Sequence, residues 1–192
     1  GYGTDTAIFA YGFTGTEVSM SNLISNAGVV ASDVTGVGTN HHSLGACEYG
    51  EDKGIFGFGQ DAAGQVSITN LVSNVGVVAS DTTGVGQTRN GIAACSYGED
   101  KGIFGFGSGG GYQSMTNLVS NVGVVADDVT GVGTARSWLA ATEYGGDKAI
   151  FGFGYDGSNV GETNLVSNVG VVADDVTGVG TARNSLAACS FS

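Results

Sequence analysis

Four copies of one unit, four short strand-like runs per unit and the lack of any sustained helical period predict an all-β fold. The specific expectation is a four-bladed β-propeller built from repeats of about 47 residues. An Ile-Phe-x-aromatic-Gly string begins at Ile8, Ile55, Ile103 and Ile150, and an Asn-Leu pair recurs at Asn22, Asn70, Asn117 and Asn164. Asp-x-Thr-Gly-Val-Gly begins at Asp33, Asp81, Asp128 and Asp175, and Leu/Ile-x-Ala at Leu44, Ile92, Leu139 and Leu186. The units span approximately residues 1–43, 44–91, 92–138 and 139–185, with a closing strand at 186–192, and together form one domain over 1–192. No 3.6-residue pattern lasts three turns and Gly interrupts every window, which excludes helices of useful length.

Each element follows from local chemistry. In the third unit, strand a is expected over 92–97, b over 101–106, c over 114–119 and d over 123–126. Gly-Glu-Asp before Lys53 and Lys101 makes the a–b turn, and Ser-Asn-Val-Gly the c–d turn. Asp-Val-Thr-Gly, with Asp first and Gly fourth, fits a type I turn after strand d. The chain opens at a strand b, residues 7–11, and ends on a spare strand a, residues 186–191. Pairing these two would close the ring; the alternative is an open or paired arc of a larger ring.

Composition narrows the function classes. Apolar residues make up 41% of the 192, enough for a core. No run of ~18 apolar residues is present, so no membrane span is expected. Six basic against eighteen acidic residues give a net charge of −12, which repels phosphates and disfavours nucleic acid as a partner. No signal-peptide pattern opens the chain. Three cysteines are too few and too scattered for a disulfide framework.

The unit resembles known repeats. Arg89-Asn-Gly-Ile-Ala-Ala-Cys-Ser-Tyr-Gly followed by Lys101-Gly-Ile-Phe-Gly-Phe-Gly resembles a kelch-type blade, although aromatic-Gly replaces the double Gly and strand d lacks Trp. Thr-Asn-Leu-Val-Ser-Asn-Val-Gly-Val-Val with Asp-Val-Thr-Gly-Val-Gly-Thr-Ala-Arg is similar to repeats in structural proteins of marine tailed phages. This resemblance implies a virion or extracellular location and a structural or host-attachment role.

Candidate chemistry is sparse, and no catalytic residue, metal site or cofactor is expected. His41 and His42 are adjacent and confined to one unit; Arg89, Arg136 and Arg183 occupy the first position elsewhere. A metal pair and a surface pair are both readings of these histidines. Cys47, Cys95 and Cys189 share one repeat position with Thr142, and read either as small core fillers or as groups facing a central channel. The repeated Asp residues fit turn-holding better than calcium, and Asp81 and Arg89 are close enough in sequence to pair. Asn inside strand c needs a partner if buried, which predicts a repeated side-chain clamp.

Strand alternation places the b–c loops and d–a connections at one end, where nearly all differences between units lie. Function tends to sit on such loops. Phe13, Tyr112, Trp138 and Tyr155 offer flat apolar faces, and His41, His42 and Asp156 polar groups, so a ligand-binding set of these seven residues is expected. Carbohydrate fits that mixture. Taken with the virion location that the resemblance to phage repeats implies, the expected role is a non-enzymatic structural or adhesion module binding host-surface glycan or other virion proteins. The alternative is a stand-alone multivalent lectin, and oligomer formation is left open.

Overall fold

A computed structural model describes residues 1–191. Among these residues thirteen strands form small antiparallel sheets. Unit 1 contributes β1 (Ala7–Phe13) and β2 (Glu17–Ile24). Unit 2 contributes β3 (Gly45–Tyr49), β4 (Lys53–Gly57), a tiny hairpin of β5 (Gln60–Asp61) and β6 (Gly64–Gln65), and β7 (Thr69–Val72). Unit 3 holds β8 (Ala93–Tyr97), β9 (Lys101–Gly105) and β10 (Thr116–Val119); unit 4 holds β11 (Ala140–Tyr144), β12 (Lys148–Tyr155) and β13 (Asn159–Val166). Units 2 to 4 have the spatial order a-b-c, and unit 1 has only b-c. The described residues contain no helix, and so none long and apolar enough to cross a membrane.

Strand d is not a continuous strand. It meets strand c only at isolated bridges, Val119 with Val125 and Thr116 with Val129 in unit 3, and the other units repeat this pattern. The cause is the Asn of strand c. Asn117 Nδ2 donates to the Ala126 carbonyl at 3.1 Å and to Asp128 Oδ1 at 2.9 Å, so a side chain fills the gap in the ladder. Asn22, Asn70 and Asn164 do the same, which forms the expected clamp.

The second aromatic of each Ile-Phe-x-aromatic-Gly string ends strand b in an unusual way. Tyr11, Phe58, Phe106 and Phe153 all have φ of 62–63°. Side chains larger than Gly rarely adopt this left-handed region, and holding one there costs about 1–3 kcal/mol. In units 1 and 4 it coincides with a register shift, a bulge between Ala10 and Gly12 and between Gly152 and Gly154. The bulge re-aims the ring away from the pleat and toward the next unit.

Consecutive units meet through a joint that is built three times. Gly3, Gly50 and Gly98 N–H donate to the carbonyls of Asp52, Asp100 and Asp147 in the following unit at 2.7–2.8 Å. Each is held at positive φ, and a Cβ there would lie 2.7–2.8 Å from an Asn carbonyl of the neighbour. Phe104 and Phe151 are fully buried and pack over Gly57 and Gly105 of the preceding unit. The core is correspondingly split into clusters centred on these joints.

The expected seam is not formed. Residues 186–191 make no strand pairing, and β1 pairs only with β2. Units 4 and 1 do not make the contacts of a fourth joint. Gly145 N–H makes no bond equivalent to that of Gly98, and Phe9 remains 62% exposed although its counterpart Phe104 is 0% exposed. Residues 188–190 nevertheless line the same axial cavity of about 450 Å³ as Gly1 and Ile8 of unit 1 and the three inner strands β3, β8 and β11.

Candidate functional site

The two ends of the arc differ as expected. At one end the a–b and c–d turns bond together, as in Asn74 Nδ2 to Asp52 Oδ2 and Asn168 Nδ2 to Asp147 Oδ2, each 3.0 Å. At the other end the b–c loops meet the d–a connections through the backbone pairs His42–Gln60, Asn90–Ser108 and Ser137–Tyr155. All seven candidate residues belong to this second end, but the structure divides them.

Phe13 is 61% exposed, with its ring 5.3 Å from that of His42. His42 Nε2 lies 3.9 Å from Glu17 Oε1, and its Nδ1 meets Ser43 Oγ at 2.8 Å. Glu17 also lines a cleft of about 580 Å³ with Thr16, Thr39, Asn40, Asp61 and Ala62, between the loops of units 1 and 2. Tyr112 and Tyr155 meet edge to face across units 3 and 4, ring centres 6.0 Å apart, a favourable aromatic geometry. Trp138 is 41% exposed, and its indole covers Gly91, where a Cβ would sit 3.2 Å from the ring. The contacts thus bring together Phe13 with His42 and Tyr112 with Tyr155, on one end of the arc.

His41 is different. It is fully buried beneath Tyr11, ring centres 4.2 Å apart, so it is withdrawn from the exposed set. The reason is its repeat position, which places the side chain inside the joint between units. Asp156 accepts from Ser158 N–H at 3.1 Å and Ser158 Oγ–H at 3.2 Å, holding its own turn.

A buried column of arginines was not singled out from the sequence. Arg89 lies over Phe58 of unit 2, its Cζ 4.7 Å from the ring centre, and reaches into unit 3, where Nη1 donates to the Phe106 and Met115 carbonyls and Nη2 to Asn117 Oδ1. Asp128 is 3.9 Å away. Arg89 therefore does not pair with Asp81, because its connection has already crossed to the next unit. Arg136 repeats the arrangement over Phe106, 4.3 Å, with Nε donating to the Phe153 carbonyl and Nη2 to Asn164 Oδ1, 2.6 Å. Burial lowers both guanidinium pKa values, that of Arg89 to about 10, with the facing Asp opposing the shift. Asp81 and Asp175 feel burial too, but hydrogen bonds from Thr39 and Asn70, and from Thr134 and Asn164, keep them below the ordinary carboxylate value. The sequence signal that could have found these arginines is the Arg three residues before the expected strand a at Ile92, Leu139 and Leu186.

His41 fills the Arg position at the first joint without replacing its function. Its Nδ1 meets the Thr39 carbonyl at 2.7 Å, so that nitrogen carries the proton, and Nε2 is buried without a partner. Asn70 Oδ1, the counterpart of the oxygens that Arg89 and Arg136 satisfy, is also unpartnered. Burial lowers the His41 pKa. Cys47, Cys95, Thr142 and Cys189 all line the axial cavity, as the channel-facing reading expects; Cys95 is also part of the core, and Cys47 lies against Gly102, its thiol pushed up to about 12 by burial. Cys189 is exposed.

No model of a known protein family matches the sequence, and no curated protein matches it. Among solved structures, one titled "Structure of YjhT" is similar, with a TM-score of 0.57 and 11% identity. The match covers 77% of this chain and 48% of that one, so this chain spans about half the length of its neighbour. That neighbour is propeller-like, and the likeness identifies the fold of this chain as all-β and propeller-like.

Proposed function

We propose that the chain is a non-enzymatic structural and adhesion module of a phage particle, presenting its variable loops to a host-surface glycan or to another virion protein. The observation that carries this reading is the asymmetry of the two ends. Near-identical turns occupy one, whereas the other displays the unmatched aromatics Phe13, Tyr112, Trp138 and Tyr155 beside hydrogen-bonding groups. The similarity of the repeats to those of marine tailed phages supports placing the module on a virion or outside a cell. A sugar ring stacks on a flat apolar face while amides and carboxylates take its hydroxyls, and the cleft of Thr16, Glu17, Asn40 and Asp61 supplies such groups next to Phe13 and His42. A stand-alone multivalent lectin is the second reading, favoured by the recurrence of such patches at different joints.

A glycan array with the wild-type chain, followed by Trp138→Ala and Tyr155→Ala, tests the reading. Binding should weaken by roughly 1–3 kcal/mol for each anchor. Substituting Glu51 and Glu99 at the opposite end should leave it unchanged. Loss through the turn substitutions alone would reverse the assignment of faces. Mass spectrometry of the source particles separates a virion module from a free lectin.

A further inference from the structure

The gap between units 4 and 1 is a joint divided into two halves, and we propose that each half docks on the complementary half of a second copy of this chain. The three joints already formed show what each half requires, position by position.

On the unit 4 side, Gly152 matches the glycines that receive Phe104 and Phe151. A Cβ there would touch only the Thr163 methyl, at 3.2 Å, so the space over it is open. Thr181 matches Thr39 and Thr134, whose N–H and Oγ–H donate to Asp81 and Asp175 at 2.6–3.2 Å. Around Gly180 nothing lies within 4 Å, although its counterparts Gly38, Gly86 and Gly133 would each strike an Asp carboxylate. Arg183 already lies over Phe153 at 4.0 Å, as Arg89 and Arg136 lie over their rings, yet it is exposed and reaches no Asn.

On the unit 1 side wait the matching parts. Phe9 projects into solvent, Asp33 receives only Asn22, and a Cβ at Gly28 would meet nothing, where Gly76, Gly123 and Gly170 each hold a Tyr of the preceding unit. The two halves are thus different from each other and complementary: Phe9 to Gly152, Asp33 to Thr181, Asn22 to Arg183. A contact of this kind is head-to-tail, and two copies close when both of their joints form.

The connection after unit 4 fits the same division of parts. Every d–a connection crosses its joint and supplies strand a to the following unit. Residues 186–190 belong to such a connection; in this chain they make no strand pairing, and Ser190 Oγ–H donates to Glu143 Oε1 of unit 4 at 3.2 Å. Unit 1 is the one unit without a strand a. By the register of β3 on β4, Ala188 would face Phe9 and Cys189 would face Ile8 of the unit 1 that receives them. Both halves are present within one chain and remain unjoined there; a second copy offers each of them its counterpart.

The test is the mass of the full chain by light scattering at about 0.15 M salt, where screening limits the repulsion between two chains of charge −12. The wild-type chain should show twice the 19.1 kDa of one chain as concentration rises. Gly152→Leu, which fills the receiving site, and Phe9→Asp, which removes the knob, should each remain monomeric with an unchanged circular dichroism spectrum. Mixed in equal amounts, the two variants should recover a one-to-one dimer, because one intact joint is left between them. A wild-type chain that stays monomeric throughout overturns the proposal. So does association that survives either substitution, or two variants that fail to pair on mixing.

Discussion

The joints around Arg89 and Arg136 and the joint around His41 occupy equivalent places in the repeat and are held differently. An arginine spans the joint because its planar head can lie on an aromatic ring of one unit while its fork of donors satisfies carbonyls of the next. Histidine is shorter and presents one donor here, so the first joint leaves both Asn70 Oδ1 and His41 Nε2 unpaired, against Arg89 Nε at the second. The cost of an unsatisfied buried polar group is about 1–3 kcal/mol, which makes the first joint the weak one of the three formed. Against both stands the unmade fourth joint, where Arg183 has its ring but no neighbouring unit. The cohesion of the arc resides in the joints, and their sequence differences grade it.

The largest effect is expected from cutting a filled joint. Arg136→Ala removes the partner of Asn164 and leaves Asp175 facing a void, and should lower unfolding stability by roughly 3–5 kcal/mol in urea titration. Arg183→Ala in dilute monomer should change it by no more than about 0.5 kcal/mol. Equal losses would erase the distinction between made and unmade joints. Next comes the knob: Phe104→Ala should cost about 3–5 kcal/mol, and Phe9→Ala very little under the same conditions.

A smaller gain is expected at the weak joint. His41→Arg, read by thermal melting, should stabilise by about 1 kcal/mol if the new guanidinium reaches Asn70 Oδ1. The same residue predicts a pH slope. Its pKa is lowered in the folded state by burial, with Asp81 and Asp61 opposing and His42 adding to the shift, so the unfolded chain binds the proton more readily. Stability is then full above the ordinary histidine pKa of about 6.5 and declines as pH falls below it toward the lowered folded value. His41→Gln should flatten that part of the profile. The smallest effect is expected at the loop end, where Tyr112→Ala should shift stability by about 0.5 kcal/mol or less.

Much of this arrangement was legible from the repeat. Equal spacing of Ile-Phe-x-aromatic-Gly gave the units, Gly-Glu-Asp gave the a–b turns, and Asn inside a strand announced a side-chain clamp that the structure forms. Three features were not legible, for physical reasons. Strand d breaks into bridges because Asn117 and its counterparts occupy the ladder, and a valine-rich run does not reveal that substitution. Arg89 pairs across a joint with Asp128, while proximity in sequence pointed to Asp81; only the fold shows that the connection has already entered the next unit. His41 and His42 are neighbours in sequence, yet one lies inside a joint and the other on the loop surface, because adjacent residues of an extended segment point to opposite sides.

Amide hydrogen exchange at the a–b turn glycines tests the account of the joints most directly, since one backbone bond marks each of them. In dilute solution Gly50 and Gly98 should be protected by the carbonyls of Asp100 and Asp147, whereas Gly145, which has no such acceptor, should exchange freely. Raising the protein concentration should slow Gly145 as a second copy supplies the missing carbonyl. Protection of Gly145 equal to that of Gly98 at every dilution would contradict the account, because the fourth joint would then be closed within a single chain.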